Sequence, residues 1–300
     1  MRVRILGSGA GGGVPQWNCG CGNCALARAK DPRVLSRTQD SVALASSGDR
    51  WLLVNASPDV RQQIESFRDL WPRSPRDTPI AAIALTNGDL DHVVGLLTLR
   101  ESQPLRILAT QRVRSGLVDH NAVLRTLART PEQVSWTALE PGSEVAIREV
   151  GLGVTPLLIR GKLPVHLVGV VDASEEDNVA LRVRDLATGR KVVIATAVGS
   201  LDGVLPLLEG ADAVLFDGTF WSEDELLALR LGTARARDMA HVPVGGQGGS
   251  LAGLAPLRAS RRIYTHVNNT NPMVRSDSPE RAEVTRAGWE VATDGMELVL

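Results

Sequence analysis

The stretch Ala84-Leu85-Thr86-Asn87-Gly88-Asp89-Leu90-Asp91-His92 (ALTNGDLDH) decides how this chain is read. An apolar run, PIAAIA, leads into it and a helix-like stretch, VVGLLTLRES, follows. The pattern is that of a strand handing a polar cluster to its C-terminal end, where α/β proteins commonly build their sites. Asn87, Asp89, Asp91 and His92 are therefore the first candidate site residues.

Outward from that point, strand-like runs recur along the whole chain. They lie at 3–7, 40–46, 50–57, 80–86, 105–110, 154–159, 178–185, 191–198, 213–218, 261–267 and 289–300, with helical patterns at 59–71, 93–103, 113–129, 201–209, 223–231 and 278–288. The run NVALRVRDLATGRKVVIATAV reads as a hairpin turning at Ala-Thr-Gly. Early hairpins followed by strand–helix alternation predict two sheets sandwiched between helix layers, an α/β (α+β) fold. No low-complexity linker or fixed-period repeat divides the chain, so residues 1–300 are expected to form one domain.

Composition narrows the function classes. The 300 residues carry a net charge of −1, which leaves no basic footprint for nucleic acid and no polybasic membrane patch. The N-terminus lacks a signal-peptide apolar core, and no stretch approaches the roughly 20 apolar residues that span a bilayer. A cytoplasmic, soluble protein is expected. The three cysteines all fall between Cys19 and Cys24, which argues against a disulfide framework and for metal or redox chemistry.

Gly7-Ser8-Gly9-Ala10-Gly11-Gly12 matches a dinucleotide-binding GxGxxG in form only. The residues that follow, GVPQWNCGC, are poor helix material, and a nucleotide site needs a helix opening inside the motif. The stretch is read as a tight turn that brings backbone close to a neighbouring site. Cys19-Gly20-Cys21-Gly22-Asn23-Cys24 is different: glycines permit the reversed dihedrals that fold three thiolates around one ion. Zinc would require a fourth ligand. Of the five histidines, His92 and His266 have stronger claims elsewhere, His120 reads as a surface residue, and His166 is a loop residue open to substrate contact, ligation or no role, the last being preferred. His241, in the polar segment GTARARDMAHVPV, is the choice for the fourth ligand.

Two further apolar strands stop abruptly at metal-capable side chains: VLFDGTFW at Asp217 and IYTHVNNTNP at His266. With Asp91 and His92 they make a set of two histidines and two carboxylates at three strand ends. Here the chain closely resembles the coenzyme PQQ synthesis protein B family of the metallo-β-lactamase fold superfamily. The stretches that carry the resemblance are GSGAGGGVPQWNCGCGNC, RTQDSVA, NASPDVRQQI, LDHVVGLLTLRE, LFDGTFW, THVNNTNP and SPERAEV, nearly end to end.

The resemblance implies an αββα four-layer sandwich and a role in making pyrroloquinoline quinone (PQQ) from a cross-linked Glu–Tyr precursor. It also implies structural Zn²⁺ at Cys19, Cys21, Cys24 and His241, since a related phosphonate-pathway phosphodiesterase closes a similar loop with a histidine. The superfamily's metal loop is histidine–x–histidine–x–aspartate–histidine, and Asn87 and Asp89 stand here where its leading histidines would be. Asparagine is a poor ligand for zinc-like ions, so the first of the usual two metals is expected to be lost. Asp91, His92, Asp217 and His266 would then hold one ion.

Two histidines and a carboxylate with open positions describe non-haem Fe(II) oxygenase ligation. The expectation is a mononuclear Fe²⁺- and O₂-dependent hydroxylase or oxidase, with Zn²⁺ as the alternative ion on purification. Asp89 is the candidate base, Asn87 an orienting group, and Asn268 and Asn269 would hold a carboxylate-rich small-molecule precursor. A homodimer is the assembly to test. The rival readings are a two-metal hydrolase, which the missing histidines oppose, and a carrier that moves PQQ or its precursor towards the periplasm, which needs no redox metal.

Overall fold

The computed structural model describes residues 1–101, 103–128 and 133–300, and in them two seven-stranded sheets face one another. In chain order the strands are β1 (Arg2–Gly7), β2 (Ser41–Ala45), β3 (Trp51–Val54), β4 (Ile80–Ala84), β5 (Leu105–Ala109), β6 (Val134–Ala138) and β7 (Val145–Ile147). They continue with β8 (Leu152–Leu158), β9 (Val179–Asp185), β10 (Lys191–Ala195), β11 (Ala213–Asp217), β12 (Arg261–Thr265), β13 (Glu290–Val291) and β14 (Glu297–Val299). One sheet runs β14-β1-β2-β3-β4-β5-β6 and the other β13-β12-β11-β10-β9-β8-β7. In each, an antiparallel half adjoins a parallel half.

The period-two alternation of a strand explains the four layers. In β2, every residue of SVALA is buried, but Val42 and Leu44 face the other sheet while Ala43 and Ala45 face helices. The same division repeats in β10, where Val192 and Ile194 join the core between sheets and Val193 and Ala195 pack outward. Strands buried on both faces read as continuous apolar runs, which is why the sequence shows them so clearly. The expected αββα sandwich is the fold.

Two strands lie outside the sequence expectations. Val134–Ala138 and Val145–Ile147 are the outermost strands of their sheets and are partly exposed, so neither carries the apolar run that marks the others. The helix expected at 93–103 is two short turns, Leu90–Val93 and Gly95–Thr98. Backbone packing breaks it: a Cβ on Gly95 would lie 2.2 Å from the Ser57 carbonyl oxygen. The same shift starts the first turn at Leu90, which puts Asp91 and His92 on a helical rather than a loop backbone. Residues 102 and 129, at the ends of two expected helical patterns, lie outside the described residues. Among the described residues no helix is long and apolar enough to cross a membrane.

Candidate metal centre

The parallel halves place the C-terminal ends of β4, β11 and β12 along one edge of the sandwich. Asp91 and His92 follow β4, Asp217 ends β11 and His266 follows β12. His266 has φ of 54°, a left-handed backbone that a non-glycine residue keeps only where its surroundings over-determine it. One donor atom from each of Asp91, His92 and His266 comes within 4.8 Å of the others. His266 Nε2 lies 3.4 Å and His92 Nε2 3.8 Å from Asp91 Oδ2.

Hydrogen bonds fix which nitrogen of each ring faces that point. His92 Nδ1 lies 2.8 Å from Asn87 Oδ1, which also accepts the Asp89 backbone N–H at 3.0 Å. An oxygen can only accept, so His92 carries its proton on Nδ1 and leaves Nε2 as a lone pair. His266 Nδ1 meets Thr219 Oγ1 at 2.8 Å, and that hydroxyl spends its own proton on Asp217 Oδ1 at 2.6 Å. His266 therefore turns Nε2 to the same point. Burial opposes its charging, but Asp91, Asp217 and Asp40 outweigh this and raise its pKa to about 9, so an ion bound there displaces the Nε2 proton. Both Nε2 atoms are buried without a hydrogen-bond partner. An orphaned buried polar atom costs roughly 1–3 kcal/mol, and two converging on one carboxylate oxygen match the donor set of a metal ion.

Asn87 thus occupies a ligand position of the superfamily loop but orients His92 instead. It is buried, and its Nδ2 donates to Asn178 Oδ1 at 3.3 Å. Asp217, the other carboxylate of the expected ligand set, is held by four donors. Its Oδ2 accepts from Val198 N at 2.8 Å and His241 Nδ1 at 2.7 Å, and its Oδ1 from Thr219 N and Oγ1. Those four donors use all its lone-pair positions. Burial pushes Asp217 up, but His241 and its other partners outweigh this and hold it at about 2. Asp217, His241 and His266 also bring one donor atom each within 4.8 Å of the others, a second cluster that shares His266 with the first.

His241 is not at the cysteine loop. It bonds Asp217 and stacks on His266 with ring centroids 5.5 Å apart. Sequence reasoning went wrong because nothing in the segment shows that it folds back over the end of β11. The residue at the thiols is Asn269, whose Nδ2 lies 3.1 Å from Cys19 Sγ, 3.7 Å from Cys21 Sγ and 3.3 Å from Cys24 Sγ. Asn23 Nδ2 donates to the Asn269 carbonyl at 2.9 Å and ties the loop to that backbone. Burial pushes the Cys24 thiol up to about 11.

The carboxylates beside the ligand set are pushed apart. Asp91 is held below the usual range because His92 and His266 outweigh its burial; Asp89 is raised by burial and by the Asp91 charge. Asp40, which sequence reasoning missed, lies fully buried beneath the site and accepts from Asn55 Nδ2 at 3.1 Å. Its signal was a carboxylate opening an otherwise apolar strand in RTQDSVA. Asn269 faces the thiols and, with Asn268, also lines a cavity of about 280 Å³ between the cysteine loop and Phe220. The glycine turn approaches the site as read: a Cβ on Gly11 would lie 3.3 Å from Asp91 Oδ2.

Residues 50–267 match the beta-lactamase superfamily domain. The chain is 45% identical to coenzyme PQQ synthesis protein B of Methylobacterium nodulans and 41% identical to that of Pseudomonas fluorescens, with 100% of each chain covered. Among solved structures, Zn²⁺-bound PqqB from Methylobacterium extorquens superposes with a TM-score of 0.92 at 41% identity over 100% of both chains. A diphosphatase of the PhnP family shares the fold alone, with a TM-score of 0.67 at 20% identity over 99% of this chain and 97% of that one.

Proposed function

The chain belongs to the coenzyme PQQ synthesis protein B family within the metallo-β-lactamase fold superfamily, and from that membership we propose that it serves PQQ synthesis by oxidising a tyrosine-derived ring. One observation carries the reading: two buried histidine Nε2 atoms without partners converge on a single carboxylate oxygen. That donor set of His92, His266 and Asp91 suits one Fe²⁺, which when bound supplies redox chemistry with O₂ that zinc lacks. Conversion of a phenol to an ortho-quinone by one O₂ releases one water, so the electrons balance without another reductant.

The chain's own residues supply the rest. Asn87 and Thr219 hold the two imidazoles in the tautomer that binds metal. Asp89, with its raised affinity for a proton, is placed to take the phenol proton, while Asp91 stays ionised. Asn268, on the wall of the neighbouring cavity, offers an amide to a substrate carboxylate. At the cysteine loop, Cys19, Cys21 and Cys24 would hold structural zinc, with the Asn269 amide lying over the three sulfurs. The satisfied state of Asp217 counts against a two-metal hydrolase, for which that carboxylate would have to bridge two ions.

The test is anaerobic loading with Fe²⁺ followed by O₂ uptake with a hydroxylated tyrosine derivative, comparing wild type with His92→Ala. Uptake that requires both iron and His92 is expected. Equal turnover with zinc, or no O₂ consumed, returns the hydrolase and carrier readings.

A further inference from the structure

His166 stands apart from the other histidines: both its ring nitrogens are buried without a hydrogen-bond partner. A neutral imidazole has one donor and one acceptor, and native structures rarely leave both unused in the interior. Its place in the fold accounts for the exception. It lies in the turn Val165–Leu167, within the segment that joins β8 to β9. That segment is fastened to the broken histidine loop from several directions. Asn178 accepts from Asn87 Nδ2 at 3.3 Å and donates to the Lys162 carbonyl at 2.7 Å. Pro164 packs on Gly88, where a Cβ would lie 3.3 Å from its Cγ, and Leu167 packs on Gly116. The turn is thus held against Gly88, within range of the Asp89 charge.

We propose that His166 contacts the substrate, its imidazole hydrogen-bonding an oxygen of the phenol or catechol ring presented to the site of Asp91, His92 and His266. This rests on the reading that the site takes an oxygenated aromatic ring. Burial lowers the affinity of His166 for a proton and outweighs the opposing charge of Asp89, so the ring is the neutral form with one donor and one acceptor. An ortho-dioxygenated ring offers the matching acceptor and donor. Metal ligation is the competing use of two free nitrogens. No group of three or more potential ligands among the described residues includes His166.

The experiment titrates the zinc-loaded protein with 4-nitrocatechol, in wild type, His166→Ala and His166→Gln, with metal content measured alongside. His166→Ala should weaken binding by about tenfold, as loss of one hydrogen bond does, with metal content unchanged. The amide of His166→Gln should recover part of the loss. Unchanged affinity in His166→Ala, absence of binding by wild type, or loss of a metal equivalent in His166→Ala would each overturn the assignment. Because binding to the zinc form needs no turnover, failure of Fe²⁺-dependent O₂ uptake removes the oxidation reading while His166-dependent binding of the catechol stands.

Discussion

The cysteine loop and the broken histidine loop hold their chemistry in opposite ways. Cys19, Cys21 and Cys24 bring three like donors from six consecutive residues, and the long-range partner, Asn269, is the one piece out of sequence. At the other site only Asp91 and His92 are neighbours. His266 comes from the far end of the chain, and each histidine depends on a further residue, Asn87 or Thr219, to aim its free nitrogen. A local motif advertises its ligands. A dispersed site advertises strand ends and hides its supports.

The sharpest way to break this contrast is to remove one ligand from the dispersed site. His266→Ala should lower metal-dependent turnover by about a thousandfold, the scale at which a catalytic metal's contribution is lost. Metal analysis should show one ion gone while the three thiols keep theirs; near-normal activity would refute the ligand set. Cys24→Ser is the converse. It should remove zinc from the loop and lower the melting temperature, by less than in a zinc finger because this chain has its own core. An unchanged melting temperature in a zinc-free Cys24→Ser protein would detach that loop from stability.

Between the loops, Glu225 accepts from Thr270 Oγ1 and Trp221 N, and burial raises its pKa to about 7. A carboxyl protonated in the fold but ionised when unfolded stabilises below its ordinary range, so stability falls as pH rises from about 4.5 to 7, by at most about 3 kcal/mol. Denaturant melts at pH 5 and pH 7.5 should show this slope in wild type and a flatter one in Glu225→Gln. The smallest effect sharpens the role of Asn87. Asn87→Ala should weaken metal binding at the dispersed site about 10- to 100-fold, the usual loss when an orienting partner goes, and Asn87→Asp should keep most of it. Equal metal affinity in Asn87→Ala would make the residue a spacer.

The sandwich was legible because strands such as β2 and β10 bury both faces and declare themselves as apolar runs, whereas the edge strands Val134–Ala138 and Val145–Ile147 have no such signature. Within the site, Asp91, His92 and His266 were legible as polar stops on apolar strands. Asn87 was visible but its role was not, since an amide's task depends on which neighbour it faces. The place of His241 was hidden for a related reason: its bond to Asp217, 2.7 Å long, joins β11 to the segment that follows it. No spacing rule announces that contact. His166 left no signal beyond being a histidine in a loop.

One short segment has consequences for handling the protein. His266 faces one centre and Asn269 the other, three residues along the same strand-end loop. The two centres are therefore mechanically in series. Under the proposed loading, a chelator that strips zinc from the thiol loop should loosen the backbone that presents His266, so restoring zinc before iron should give more active protein than the reverse order.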